Sequence, residues 1–321
     1  MELCRRQWLW STCHSKRESI GSCGSPSKYV PECKPLFDVE YLGNISSWCE
    51  CVNVRCDSHG AAAVINNWVA EKTNNKVTEI VPADAVNALT RLILVNAVYF
   101  RGDWLKEFDV NSTTDEDFHI SPNESVKVKM MHSKAKFYYG VNAELHCQAT
   151  ELPYAGEGLS MFILLPDQEA TSLSEVEEKL TSDDFVNVRK KFRMSSVEVN
   201  LWLPRFSLDE KLSLSEMLAG IGMKDLFAPG GADLSGIDGS KELYVSKVLH
   251  RAVVEVNEEG TEAAAATAVV KKLRRAKIRK DVNFRADHPF IFFIQDKTTG
   301  SVLFLGRLVK PSAAVSTEAE P

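Results

Sequence analysis

Apolar positions follow two periods along this chain. From His59 to Thr73 they recur three or four residues apart, at Ala62, Ile65, Trp68 and Val69, which predicts an amphipathic helix with that stripe buried. Arg91 to Phe100 is a nearly continuous apolar run, the pattern of a strand at the centre of a sheet. Val and Lys alternate between Ser125 and Tyr139, predicting a strand with one wet face. Leu159 to Pro166 reads as a short buried strand, and Val197 to Phe206 places its Val and Leu residues on one face of another. Ser174 to Arg193 reads as a helix capped by Ser174, with Glu177 three residues on. A further helix is predicted over Leu212 to Phe227, ending near Gly222 and Pro229-Gly230.

The last third is richer in strands. Tyr244 to Val256 is β-branched and apolar, as a long strand requires. His288 to Ile294 and Val302 to Val309 flank the turn Asp296-Lys297-Thr298-Thr299-Gly300, which predicts a buried hairpin. Helices around predominantly antiparallel sheets make an α+β fold.

Between the long strand and the hairpin lies Asn257-Glu258-Glu259-Gly260-Thr261-Glu262-Ala263-Ala264-Ala265-Ala266-Thr267-Ala268. Alanine favours a helix, which Thr261 would cap. A period of two also fits. Thr261, Ala263, Ala265, Thr267 and Val269 share one side of an extended chain, and their small side chains suit entry into an existing sheet. Glu262 would then face water. The flanking strands favour this second reading, a mobile loop able to join a sheet.

Next comes Lys271-Lys272-Leu273-Arg274-Arg275-Ala276-Lys277-Ile278-Arg279-Lys280, a segment that a trypsin-like protease would cut. A solubilising charged loop is the plain alternative. Glycosaminoglycan or nucleic-acid binding ranks lower, because the chain carries formal net charge -6 and the patch holds no aromatic residue.

Composition fits a globular protein: 321 residues, 44% hydrophobic and 26% charged, without an apolar run of membrane-spanning length. Two polar residues interrupt apolar strands, Asn96 and His250, and each is expected to find a structural hydrogen-bond partner. No Gly-x-Ser-x-Gly elbow, His-Glu-x-x-His or phosphate-cradling Gly loop occurs, so an enzyme is not expected. Neither a cofactor nor a metal site is implied. Seven of eight cysteines precede residue 57, without Cys-x-x-Cys spacing, and only Cys147 lies later. Asn44, Asn111 and Asn123 begin Asn-x-Ser/Thr triplets, a short pattern that also arises by chance.

At its loop the chain resembles the serpins. Glu259-Gly260-Thr261-Glu262-Ala263-Ala264-Ala265-Ala266-Thr267-Ala268 is similar to the hinge of inhibitory, leukocyte-elastase-inhibitor-like members. Asn66-Asn67-Trp68-Val69, Leu94 through Trp104, Glu151-Leu152-Pro153-Tyr154, Ala286 through Phe290 and Phe304-Leu305-Gly306-Arg307 follow in family order. The resemblance implies a serpin-like fold, multi-sheet with surrounding helices and an exposed reactive-centre loop. It implies a suicide-substrate inhibitor of serine proteases whose cleaved loop inserts into the large sheet. Family spacing from Gly260 places the residue before the scissile bond at Arg274, with Arg275 as the substitute, so trypsin-like proteases are the implied targets. Lys271, Lys272, Lys277, Arg279 and Lys280 would add exosite contacts, glycosaminoglycan among them. Neither a membrane nor a nucleic acid is an expected partner. The matching Asn96 and His250 would lie where the sheet opens, and Trp104 at the top where insertion starts. Inserting some ten residues would form roughly ten to twenty backbone hydrogen bonds at about 1 kcal/mol each. That is comparable with the roughly 5–15 kcal/mol stability of a protease domain.

The expected organisation is a Cys-rich segment over 1–57 without recognisable fold, a serpin domain over 58–311 and a disordered tail over 312–321. The resemblance implies an N-terminally truncated form, since a full serpin carries some further helices and strands ahead of Asn66, and apolar strand faces would be left uncovered. The alternative function is a non-inhibitory binding protein, or an inactive form whose loop is cut as a substrate. Extracellular action is favoured by the abundance of basic-site proteases there, with a cytoplasmic setting as the other option. No signal-peptide pattern occurs in residues 1–20.

Overall fold

A computed structural model describes residues 58–87, 89–239, 241–259 and 282–311. In chain order the elements are α1 (Ser58–Lys72), β1 (Leu92–Arg101), β2 (Thr114–Ser121), β3 (Glu124–Asn142), β4 (Cys147–Pro153) and β5 (Leu159–Pro166). Then come α2 (Leu173–Lys179), α3 (Ser182–Val186), α4 (Val188–Lys191), β6 (Ser195–Pro204), β7 (Phe206–Ser213), α5 (Ser215–Gly220) and α6 (Ser235–Asp238). The last strands are β8 (Val245–Val256), β9 (Val282–Arg285), β10 (Phe290–Asp296) and β11 (Val302–Leu308). The chain divides into two compact units, Met1–Arg101 with Leu208–Val254, and Gly102–Ser207 with Glu255–Pro321.

The first unit holds a three-stranded sheet in the order β1-β8-β7. The Arg91 amide donates to Ser246 Oγ at 2.9 Å, and the Asn96 backbone bonds the His250 ring. Residue numbers therefore climb together along β1 and β8, so the two run parallel. Across β8 and β7 they run oppositely: Leu214 N donates to Val248 O at 2.9 Å, and Arg251 meets Asp209. Helix α1 turns Ala61, Ala62 and Val69 onto Ile93, Val95, Ala97 and Tyr99 of β1 and Leu249 and Val253 of β8. The segment after α1 is tied back by Asn66. Its Oδ1 accepts from Ile80 N and Val81 N, each at 2.9 Å, while its Nδ2 donates to Val81 O at 2.8 Å. Thr73 adds a second tie, donating to Val69 O and accepting from Val77 N.

The continuous apolar run of β1 predicts burial on both faces, yet every residue from Leu92 to Tyr99 is only half-buried. Among the described residues β1 is an outer strand of its sheet, so nothing seals its far edge.

The second unit is built on an eight-stranded sheet, ordered β11-β10-β5-β4-β3-β6-β9, with β2 paired to β3. Its central strands are buried along nearly their whole length, which is why Met161–Pro166 and Phe290–Ile294 are apolar at consecutive positions. Phe162 of β5 and Phe293 of β10 stack at 4.9 Å, and Phe185 of α3 meets Phe293 edge-on at 5.2 Å. Glu151 of β4, an acidic residue among these strands, is 2% exposed. It accepts from Arg189 Nε at 2.7 Å, Arg189 Nη2 at 2.6 Å and Ser160 Oγ at 2.9 Å, so its buried charge is paired.

Two helix expectations are corrected. Ser174–Arg193 is three short helices, because polar caps restart the chain: Ser172 with Glu175 forms one capping box, and Thr181 with Asp184 the next. The cap is thus Ser172, two residues before the expected Ser174. Leu212–Phe227 is not one helix either. Strand β7 runs through Ser213, α5 covers only Ser215–Gly220, and Gly222 at φ 109° ends helical geometry. Strands β2, β4, β7 and β9 have no counterpart in the sequence-based expectations; β2 carries three acids among its eight residues and β9 is only four residues long.

Gly140 on β3 lies against the end of α4, where an added Cβ would sit 2.1 Å from Phe192 O. Gly140→Ala should therefore destabilise the chain by about 1–3 kcal/mol, read as a lower urea midpoint with unchanged slope. An unchanged midpoint would show that this backbone approach carries no stability.

Candidate functional site

Strand β8 ends where the small-residue loop begins, and its alternation continues past its last ladder residue. Val254 and Val256 are buried, and the next position of the same period is Glu258, at 3% exposure. A carboxylate thus occupies a core position. It is met by charge and by a hydroxyl. Thr113 Oγ1 donates to Glu258 Oε1 at 2.7 Å, and Arg205 Nη2 donates to the same oxygen at 2.5 Å. Burial pushes the Glu258 carboxyl upward. The Arg205 and Thr113 hydrogen bonds outweigh it and hold the group below its ordinary value of 4.5.

The backbone of the same three residues is held by one short segment. Trp104 Nε1 donates to Asn257 O at 2.8 Å, Phe108 N to Glu258 O at 3.2 Å, and Trp104 N to Glu259 O at 3.3 Å. Trp104 is fixed in turn. Its ring stacks on Tyr154 at 4.5 Å and meets Phe108 edge-on at 6.2 Å. Carbonyls 257 to 259, the last before the loop, are therefore clamped around a buried tryptophan.

Among the expected site residues, Trp104 and Glu259 meet here, in the second unit. Asn96 and His250 meet in the first. Burial lowers the His250 pKa below 6.5, partly offset by its bond to the Asn96 main chain, so the ring is held toward its neutral form. The expectation of a satisfied side chain at Asn96 is corrected. Its Oδ1 is buried without a partner among the described residues, because only the Asn96 backbone reaches His250. Gly260, Thr261, Glu262, Ala263, Ala264, Ala265, Ala266 and Thr267 lie outside the described residues, as do Arg274 and Arg275. So do Lys271, Lys272, Lys277, Arg279 and Lys280.

Sequence reasoning missed Thr113, Arg205 and the role of Glu258. For Glu258 a signal existed: extending the two-residue period of Val254 and Val256 by one step lands on an acid. Arg205 and Thr113 carry no such signal, being 53 and 145 residues away in sequence.

A family model described as "Serpin (serine protease inhibitor)" matches residues 34–311. The chain is 45% identical over 286 residues to the human leukocyte elastase inhibitor, covering 88% of this chain and 74% of that protein. It is 46% identical over 247 residues to serpin B6 of Pongo abelii, covering 77% and 65%. Uncleaved ovalbumin superposes with a TM-score of 0.72 at 32% identity, covering 82% of this chain and 65% of ovalbumin. A tumour-suppressing serpin gives a TM-score of 0.71 at 28% identity, covering 82% and 68%. The chain thus spans about two thirds to three quarters of the length of these relatives.

Arg205→Met should cost about 2 kcal/mol by leaving the Glu258 carboxylate without its cation, measured by urea denaturation at neutral pH. The pH dependence has a definite sign. A carboxyl with a lowered folded-state pKa contributes stability that is complete above 4.5 and lost as pH falls below it through the folded value. Wild type minus Arg205→Met stability should shrink in that window, and a difference constant down to pH 3 would refute the assignment.

Proposed function

The chain belongs to the serpin family, and from that premise we propose that it inhibits serine proteases as a suicide substrate with Arg274 at the bait position. The observation that carries this reading is the parallel contact of β1 and β8. The loop leaves the C-terminal end of β8. A chain that reverses there and enters between β1 and β8 lies antiparallel to both, replacing one parallel ladder by two antiparallel ones. Antiparallel pairing is slightly the more stable per residue. The small residues Thr261, Ala263, Ala265 and Thr267 suit such an entry, because they add little volume over a filled core.

The chemistry belongs to the protease. Its serine oxygen attacks the carbonyl carbon of Arg274, the C–N bond to Arg275 breaks, and the released amine takes the proton passed on by the catalytic base. An ester to Arg274 remains, and the freed hinge from Glu259 to Thr267 inserts before water can cleave it. Arg275 as bait gives the same sequence of events one residue later. A basic residue at this position fits a specificity pocket carrying a carboxylate. This sets the chain apart from relatives named as inhibitors of leukocyte elastase, and Lys271, Lys272, Lys277, Arg279 and Lys280 would add contacts with an acidic protease surface or with a glycosaminoglycan. The same target chemistry is the argument for extracellular action. No described helix is long and apolar enough to cross a membrane.

A second reading treats the loop as an ordinary substrate. Asn96 Oδ1, without a partner among the described residues, and the half-buried length of β1 favour it, since both sit in the sheet that must open. The two readings separate on a denaturing gel. Mixing the chain with trypsin should give a band of summed mass, and cleavage after Arg274 with no such band would establish the substrate reading. Arg274→Ala should abolish the trypsin complex. Retention of it would move the bait to Arg275 or elsewhere.

A further inference from the structure

We propose that Lys106 is a carbonyl-capture site: its amine forms an imine with small neutral aldehydes. The inference does not depend on the loop's function and uses residues of the second unit alone.

Lys106 stands between Trp104 and Phe108, in the segment whose amides hold carbonyls 258 and 259. Its side chain lies against β3. Nζ donates to the Lys136 backbone carbonyl at 3.0 Å and sits 5.5 Å from the centre of the Phe137 ring. The nitrogen is thereby fixed against a protein surface, on a residue that is open to solvent. The same placement sets it beside a second ammonium, that of Lys136. Among the described residues, no carboxylate lies within ion-pair distance of Lys106. Glu198, the register partner of Lys136 across β3 and β6, contacts Lys134 instead, at 3.6 Å.

Two ammonium groups held together without a counter-charge favour loss of one proton. Removal of water from around Nζ acts in the same direction. It is the larger cause that lowers the Lys106 pKa below its ordinary value of 10.5, and the charge of Lys136 is the other. The Lys136 carbonyl does not oppose this, because it accepts from a neutral amine as well as from an ammonium. Lysines that are desolvated or placed beside another cation are the ones that act as nucleophiles near neutral pH. By contrast, Lys127, Lys129 and Lys191 each meet a carboxylate, at 3.0, 2.9 and 2.7 Å, which holds the proton in place. In the capture step the Nζ lone pair attacks the aldehyde carbon, and a proton passes from nitrogen to the carbonyl oxygen. The carbinolamine then loses water, leaving a C=N bond to the lysine.

The test treats the full chain at neutral pH with limiting acetaldehyde and cyanoborohydride, which reduces each imine to a stable ethyl-lysine. Labelled residues are read by peptide mass spectrometry. Lys106 should be labelled at least about threefold faster than Lys224 and Lys297, which are also exposed. Lys136→Gln removes the neighbouring charge but keeps the backbone carbonyl that positions Nζ, so Lys106 labelling should slow toward the rate of those two. Lys136→Arg keeps the charge and should keep the fast rate. A lysine that is merely exposed would show neither the excess nor this split. Equal labelling of the three lysines, or a Lys106 rate indifferent to Lys136→Gln, overturns the proposal. Should Lys136→Gln not fold, the wild-type rates against pH decide. The Lys106 profile should rise at lower pH than those of Lys224 and Lys297, and coincident profiles refute the capture site.

Discussion

Everything distinctive about this chain depends on two parallel strands placed side by side with no crossover chain between them in the sheet. Strands β1 and β8 are separated by some 145 residues, yet they pair directly and in parallel. Parallel neighbours need long connections, and here the connection is most of the described protein.

Two sets of polar contacts hold β8 and the residues that follow it. In the first unit Arg251 ties the strand to β7 and to the segment after α1, with all three contacts made by one buried guanidinium. In the second unit the three residues after β8 are held through their carbonyls by Trp104 and Phe108, and through Glu258 by Arg205 and Thr113. Both join a buried charge to a partly exposed partner. Such contacts are strong when complete and costly when half made, so each tends to open as a unit.

Element types were largely legible in the sequence where one physical signal dominated. Leu159–Pro166 is found at its expected bounds because both faces are buried and every position but Ser160 is apolar. The helix at Ser58–Lys72 and the strand at Val245–Val256 are off by one residue. Where signals conflicted the reading failed. Between Leu173 and Lys191 the apolar period suggests one helix, but hydroxyl and acid side chains at Ser172, Glu175, Thr181 and Asp184 compete for the backbone and break it into three. Strand β2 was invisible because its charges are paired across the ladder, Asp115 with Lys129 and Asp117 with Lys127, a pattern that exists only once β3 is beside it.

The sequence by itself determined the family and most of the residues that form the strands, because each is encoded by neighbours within about ten positions. Which strand lies beside which, and which buried charges find partners, was decided by the tertiary structure. Glu258 could be read as inward-facing from the period of β8, but its cation could not: Arg205 stands 53 residues away and reaches it only after β6 ends at Pro204. Arg251 looked like one more basic residue in a strand. Folding places it between a carboxylate 42 residues off and a carbonyl 172 residues off. Local chemistry fixes periodicity and caps, whereas long-range pairing depends on the cost of leaving a buried charge unmatched, which no local window of sequence contains.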